Sequence, residues 1–491
     1  MSEENDEKSI YLIFKRNGDM YVGHMLTHKC PDPDRIKEMW DAPAEKKSEP
    51  KAEEPEKKSK PEGFSAVNQA FQRSISMYRD AVVSTIRISP IVSSMLISRE
   101  LGHYAQNRGL SIFELRDEAT EVFKLPNHCL SEIQRKNDQA EAAIAGAREL
   151  PQIATIGLIS AYDAFLSDLL RSIFAKHPEL VFTSDRQVKF SELMSFSSIE
   201  SVRESIVTDE IEGVLRKSHH EQFLYMESKF EMKLRDGLDV WPSFIELCER
   251  RNLLTHTGGI VSEQYIKNCK QHKVKNEASL GDKLSVGRKY FQEGIEIIAE
   301  IGTKLTHTLW RKFAESERRE ADQALNECGM QMIQKEKYRT AERILRFGFD
   351  QKKHSSDLIR RMMIVNLANA IKLSGDREKA TETLDQHDWS ATATQFRMCV
   401  AAVRDEYENV CDFMRLGPET TGINASDFRD WPVFASCREN ESVLKTFLEV
   451  YGEPFVIANK IEIDKKLVEA SENGVDEHEG TQDNKNKTKL H

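Results

Sequence analysis

Apolar residues recur every three or four positions along most of this chain, and that spacing constrains its fold more than any other feature. From about Phe64 to Phe313 the period is helical and no alternating, strand-like stretch breaks it, so an all-α domain is expected over 64–315. Its clearest helices are near 131–149, 152–176, 199–217, 220–235, 240–257 and 285–313. A second helical region follows over 316–460, with more regular spacing.

In that second region Leu325, Gly329, Tyr338, Ala341 and Leu345 alternate small and large positions, and Ile364, Leu367, Ala368, Ala380 and Leu384 repeat the register about 39 residues later. The pattern resembles a degenerate tetratricopeptide repeat, whose usual period is about 34 residues. Such repeats imply a surface for a protein partner.

Upstream, residues 10–26 read as two short strands around a turn at Asn17-Gly18, a β-hairpin within an N-terminal segment 1–41. The stretch 42–63, almost wholly Pro, Ala, Lys, Glu and Ser, has nothing to bury and is expected to be a disordered linker. The polar tail 461–491 is expected to be disordered as well.

The net charge of −11 excludes a generic, uniformly basic nucleic-acid coat, so any such binding needs a local basic cleft. Eight singly scattered cysteines without a C-x-x-C argue against a disulfide framework or a zinc ribbon. No uninterrupted apolar run suggests a membrane span, and the acidic start lacks the pattern of a secretory signal, so a cytoplasmic protein is expected. No G-x-x-x-x-G-K-[ST], G-x-G-x-x-G or H-E-x-x-H occurs, leaving triphosphatase, dinucleotide and zinc-protease readings without support.

The stretch "ERRNLLTHTGG", 249–259, is the unusual one. On a helix, Val240, Phe244, Leu247 and Leu254 share a face, and Arg251 falls in the middle of it. A guanidinium belongs in an apolar stripe only if paired or facing a cleft. Asn252 and His256 stand at i, i+4 on the adjoining face, and Gly258-Gly259 stops the helix. An Arg, an Asn and a protonatable His at one helix end suit phosphodiester chemistry: the Arg holds phosphate, the His moves a proton near neutral pH. Asp163 lies inside the Ile159, Leu166, Leu170, Ile173 stripe and is the candidate partner of Arg251, or the acid that orients His256.

R-N-L-L-T-H resembles the R-x4-6-H signature of the HEPN family, and the resemblance extends over roughly 131–313, from "GLISAYDAFLSDLLRSIF" to "LGDKLSVGRKYFQEGIEIIAEIG". It implies an up-and-down helical bundle that forms a homodimer, with two motifs in one cleft. It also implies metal-independent RNA cleavage through 2′-hydroxyl attack, with no cofactor and with Arg251, Asn252 and His256 as the catalytic set. Some toxin members carry a tyrosine two residues after the His; Gly258 stands there, so regulation by modification of that tyrosine is not supported.

Other candidates are weaker. His307 repeats the L-T-H-T string, but Gly302 occupies the place of the Arg, which makes His307 an internal control. His219-His220 reads as a surface pair. His24, His28 and Cys30 lack a fourth metal ligand. The competing functional reading is a non-catalytic scaffold whose bundle dimerises or binds a nucleotide. It requires Arg251 to be neutralised by Asp163 and covered, whereas an enzyme requires Arg251 and His256 in an open groove.

Overall fold

The computed structural model describes residues 11–17, 20–27, 62–108, 110–114, 121–124, 130–182, 193 and 195–455. The expected linker over 42–61 and tail over 461–491 lie outside them, as do Gly18, His28 and Cys30. The chain divides into two units, residues 1–60 and 61–491. In the first, β1 (Tyr11–Asn17) pairs antiparallel with β2 (Met20–Thr27), Asn17 opposite Met20 and His24 opposite Phe14.

The second unit is mostly helical. α1 (Gly63–Met77) buries Phe64, Val67, Phe71 and Ile75, one stripe at helical spacing. It continues through a π-helical turn, Tyr78–Val82, into α2 (Val83–Arg108). A short antiparallel pair, β3 (Leu110–Glu114) and β4 (Glu121–Lys124), then interrupts the helices. This corrects the expectation of an unbroken helical run. Two strands of five and four residues are too short to establish an alternation against a helical background.

α3 (Leu130–Lys176) is one helix of 47 residues, where two were expected around Pro151. Proline costs a hydrogen bond in a helix interior. Here good helix formers precede it, and the turns after it are locked in the core by Leu158, Ile159, Tyr162 and Leu166, all fully buried. An 18-residue window of this helix has mean hydropathy 1.4, apolar and long enough by composition to cross a membrane. The same apolar stripe is what packs the bundle.

After the short α4 (Glu179–Phe182), α5 (Ile199–Leu215) and α6 (His219–Lys229) each begin with a capping box, on Ser198 and Ser218. α6 is shorter than the expected 220–235, because the chain turns at Glu231, whose φ is 49°. α7 (Trp241–His256) carries the motif, α8 (Glu263–Gln271) follows it, and α9 (Arg288–Phe313) closes the bundle. α1 crosses α9 closely at Gly302, where a β-carbon would collide with the Phe71 ring.

Beyond a 3-10 turn, α10 (Arg318–Gln334), α11 (Tyr338–Phe349), α12 (Asp357–Leu373) and α13 (Arg377–Asp385) pack consecutively, each against the next. α14 (Thr394–Val403) and α15 (Tyr407–Arg415) continue the stack. The short α16 (Pro418–Thr421) and α17 (Ala425–Asp430) lead to α18 (Glu441–Tyr451). Gly329 faces Leu345 so closely that a β-carbon would overlap it, and at Gly348 one would stand 2.9 Å from Leu325. Small residues at these points let the helices of the first pair approach.

Two apolar cores meet inside this unit. The first runs from Phe64 to Ala321 and the second from Leu325 to Phe447. Ionic contacts join them. The fully buried Glu300 takes Lys304 at 2.6 Å and also Arg343 of α11, while the fully buried Asp322 takes Arg311 and the Ser355 N–H at 2.6 Å.

Candidate functional site

α7 starts with proline in its first turn, where the missing N–H costs nothing, and buries Phe244, Leu247 and Cys248 against the bundle. It ends at His256. Gly258 and Gly259 follow with φ of 60° and 87°, and the Gly259 N–H donates to the Leu253 carbonyl at 3.0 Å. The glycine stop read from the sequence is therefore the geometry of the helix end.

Arg251 points at α3. Its Nη2 stands 3.6 Å from Asp163 Oδ2, with 21% of the Arg side chain and 28% of the Asp side chain exposed. The distance is that of an ion pair without a hydrogen bond. Arg251 Nε is buried and has no acceptor. The other carboxylate oxygen, Asp163 Oδ1, accepts from His219 Nε2 at 3.1 Å. Of the two roles expected for Asp163, it takes the Arg251 partnership; the histidine it orients is His219, not His256.

His219 overturns the surface reading of the His219-His220 pair. It is the first residue of α6 and only 6% exposed, with the Tyr162 and Phe244 rings 6.0 and 5.7 Å away. His219 opens the buried stripe of α6, with Gln222, Phe223 and Met226 at i+3, i+4 and i+7, and the polar His and Gln in that stripe concealed it. His220 lies beside it, its ring 4.4 Å from that of His272 and its Nδ1 3.3 Å from Arg235. Burial lowers the pKa of both His220 and His272, with the nearby Arg235 adding to it.

Asn252 also departs from expectation. It lies beside Glu249, on the turn before, and among the described residues no hydrogen bond joins it to His256. Burial raises the Glu249 pKa, against hydrogen bonds from Asn268 and Asn252 and the charges of His219 and Arg251. His256 itself is exposed on the last turn. Thus Arg251, Asn252 and Asp163 belong to one polar cluster, joined by His219 and Glu249, and His256 stands outside it. Glu249 carried a sequence signal, as the first letter of the motif stretch, that charge patterning alone did not reveal.

A cavity of about 280 Å³ opens between α6, α7 and α8, lined by His219, Glu249, Asn268 and His272 among others. On the opposite side of α7, Glu246 is 9% exposed and accepts from Tyr265, Tyr290 and Arg250 at 2.7, 2.6 and 2.7 Å. That knot fixes α7 against α8 and α9. His307 is fully buried against Trp310, both ring nitrogens without partners, and burial with the Arg311 charge drives its pKa down to about 3. Among the described residues no group of three or more His, Cys, Asp or Glu is arranged to hold a metal ion. Six cysteines, Cys248 among them, are free and buried.

Neither protein-family models, nor curated proteins, nor solved structures match the chain. The functional reading therefore stands on the residues and their geometry.

Proposed function

We propose that the chain is a metal-independent endoribonuclease of HEPN type, cleaving RNA by attack of the 2′-hydroxyl on the adjacent phosphodiester. On this reading it works as a cytoplasmic homodimer in bacterial defence or stress response. The C-terminal helices, tetratricopeptide-like in register, receive a protein partner. The observation that carries the reading is Arg251. Its guanidinium stands 3.6 Å from Asp163 in an ion pair without a hydrogen bond, with 21% of the side chain still exposed, which leaves N–H donors for a phosphate. Arg251, Asn252 and His256 keep the spacing of the family signature, and His256 is open to solvent at the helix end.

The test is incubation of the purified full chain with total RNA in EDTA. Cleavage is expected to persist and to leave 2′,3′-cyclic phosphate and 5′-hydroxyl ends. Arg251→Ala should lose about 10²–10³ in rate, the usual worth of one transition-state donor. Metal-dependent cleavage or 3′-hydroxyl ends would overturn the reading.

A second reading, the non-catalytic interaction protein, is favoured by two observations. Asp163 neutralises Arg251, as that reading requires. A groove of about 770 Å³ in the C-terminal helices is lined by Leu358, Met362, Phe396 and Trp431, adaptable apolar side chains suited to a partner's helix. Under it, intact RNA after prolonged incubation accompanies an Arg251→Ala effect on stability alone.

A further inference from the structure

We propose that His219 and Glu249, which line one cavity, are the general base and general acid of the cleavage site, with Asp163 as the positioning residue of His219 and its link to Arg251. This deepens the ribonuclease reading and rests on it. That reaction needs one group to take a proton and another to give one, and a single histidine cannot do both in one step.

The arrangement brings both groups together from separate helices. His219 comes from the start of α6 and Glu249 from α7, while Asp163 reaches in from α3. With Nε2–H donating to Asp163 at 3.1 Å, the lone pair of a neutral His219 is on Nδ1. The ring is thus fixed in the tautomer of a base. Glu249 is the complementary group: burial holds its carboxyl above the usual range, and Asn268 lines the same cavity beside it. His219, held by Asp163, and Glu249, shifted upward by burial, thus line one cavity from two different helices. His256, by contrast, lies five residues beyond Arg251, exposed and without an orienting carboxylate.

The step balances without a co-reactant. The 2′-hydroxyl gives its proton to His219 Nδ1 as the O2′–P bond forms. The P–O5′ bond breaks, and O5′ takes the proton of the Glu249 carboxyl. The products are a 2′,3′-cyclic phosphate and a 5′-hydroxyl, and the enzyme is left with imidazolium and carboxylate. Transfer of one proton from His219 back to Glu249 restores the starting state. Arg251 is tied to this pair through Asp163.

The experiment is single-turnover cleavage by the full chain of two substrates. One is a single-stranded RNA; the other is uridine 3′-(4-nitrophenyl phosphate), whose phenolate leaves without needing a proton. Glu249→Gln is expected to lose about 10²–10⁴-fold on RNA and only a few-fold on the nitrophenyl ester. His219→Gln is expected to lose on both substrates. If His219→Gln fails to fold, the substrate contrast at Glu249, an exchange of near-equal size on the cavity wall, carries the test. Equal losses of Glu249→Gln on both substrates would overturn the acid role. Full activity of the Glu249 and His219 variants beside an inactive His256→Ala would overturn the proposal while leaving the ribonuclease reading intact. No cleavage of either substrate by the wild-type chain overturns both.

Discussion

Asp163 stands 3.6 Å from Arg251 through one carboxylate oxygen and takes a hydrogen bond from the buried His219 through the other. One acid on α3 therefore fixes a residue on α6 and another on α7. Removing it leaves an unpaired guanidinium and an imidazole without its acceptor. Asp163→Ala is expected to cost about 1–3 kcal/mol, toward the lower end because Asp and Arg both retain some solvent. The check is urea unfolding followed by tryptophan fluorescence; an unchanged midpoint would show that Asp163 holds nothing in place.

Glu300 sits at the seam between the two cores, its side chain fully buried between Lys304 and Arg343. Removing one member of a buried ionic group strands the others, typically at about 3–5 kcal/mol. Arg343 is 34% exposed and can turn to water, so Glu300→Ala belongs at the low end of that range. Lys304 cannot escape as easily, being only 10% exposed. Guanidinium unfolding of the variant should show a clear destabilisation; a loss below about 0.5 kcal/mol, the size of a surface substitution, contradicts this account.

His307 gives the molecule an acid weakness. Its folded pKa of about 3 lies below the ordinary imidazole value of 6.5, so between those two values the unfolded chain binds a proton that the folded chain refuses. Stability contributed by this group is complete above pH 6.5 and is lost as the pH falls toward 3. The slope approaches about 1.4 kcal/mol per pH unit for one proton. His307→Leu, which keeps the site apolar, should flatten the stability profile between pH 6 and pH 4 by about that slope. Parallel profiles for the two proteins would mean that His307 is protonated in the folded state.

Much of this architecture was legible. Helical periodicity located α5, α7 and α9 to within a few residues, because each buries a stripe repeated over several turns. Arg251 was legible as an anomaly for the same reason: a cation in the stripe with Phe244 and Leu247 must find a carboxylate, and Asp163 was the other anomaly. What remained hidden depends on tertiary placement. His219 lies on the α6 stripe with Phe223 and Met226, but His and Gln at its other positions made that stripe read as polar, and Glu249 is desolvated by tertiary packing that periodicity does not encode. Pro151 read as a boundary because local propensity opposes it, and the packing of Leu158, Ile159 and Tyr162 overrides that preference. His307 could be recognised as lacking an Arg partner, but whether it was solvated or in the core was a matter of neighbours from α1 and α10.

The two glycines after the motif make different demands, which separates helix termination from packing. Both lie in the left-handed region, with φ of 60° at Gly258 and 87° at Gly259. A side chain in that region costs about 1–2 kcal/mol from its own backbone. At Gly258 that is the whole cost, since a β-carbon there meets nothing within 4 Å. At Gly259 the β-carbon would stand 2.5 Å from the Leu284 carbonyl oxygen, a backbone atom that cannot rotate away. The two segments are tied at that point by an isolated bridge between Ile260 and Lys283: Leu284 N–H donates to the Gly259 carbonyl at 2.9 Å, and Val261 N–H to the Asp282 carbonyl at 2.9 Å. Gly259→Ala must therefore open this ladder as well as strain the backbone, while Gly258→Ala keeps it. Gly258→Asn should be the mildest of the three, since asparagine tolerates the left-handed region. The expected order of destabilisation is Gly259→Ala, then Gly258→Ala, then Gly258→Asn, with at least about 1 kcal/mol between the first and second, the size of a lost backbone hydrogen bond. Amide exchange at Leu284 supplies the independent readout: it should accelerate in Gly259→Ala and stay protected in both Gly258 variants. Equal destabilisation by alanine at the two positions, with Leu284 protected in each, would mean that the Leu284 backbone yields without cost and that Gly259 serves only to stop the helix.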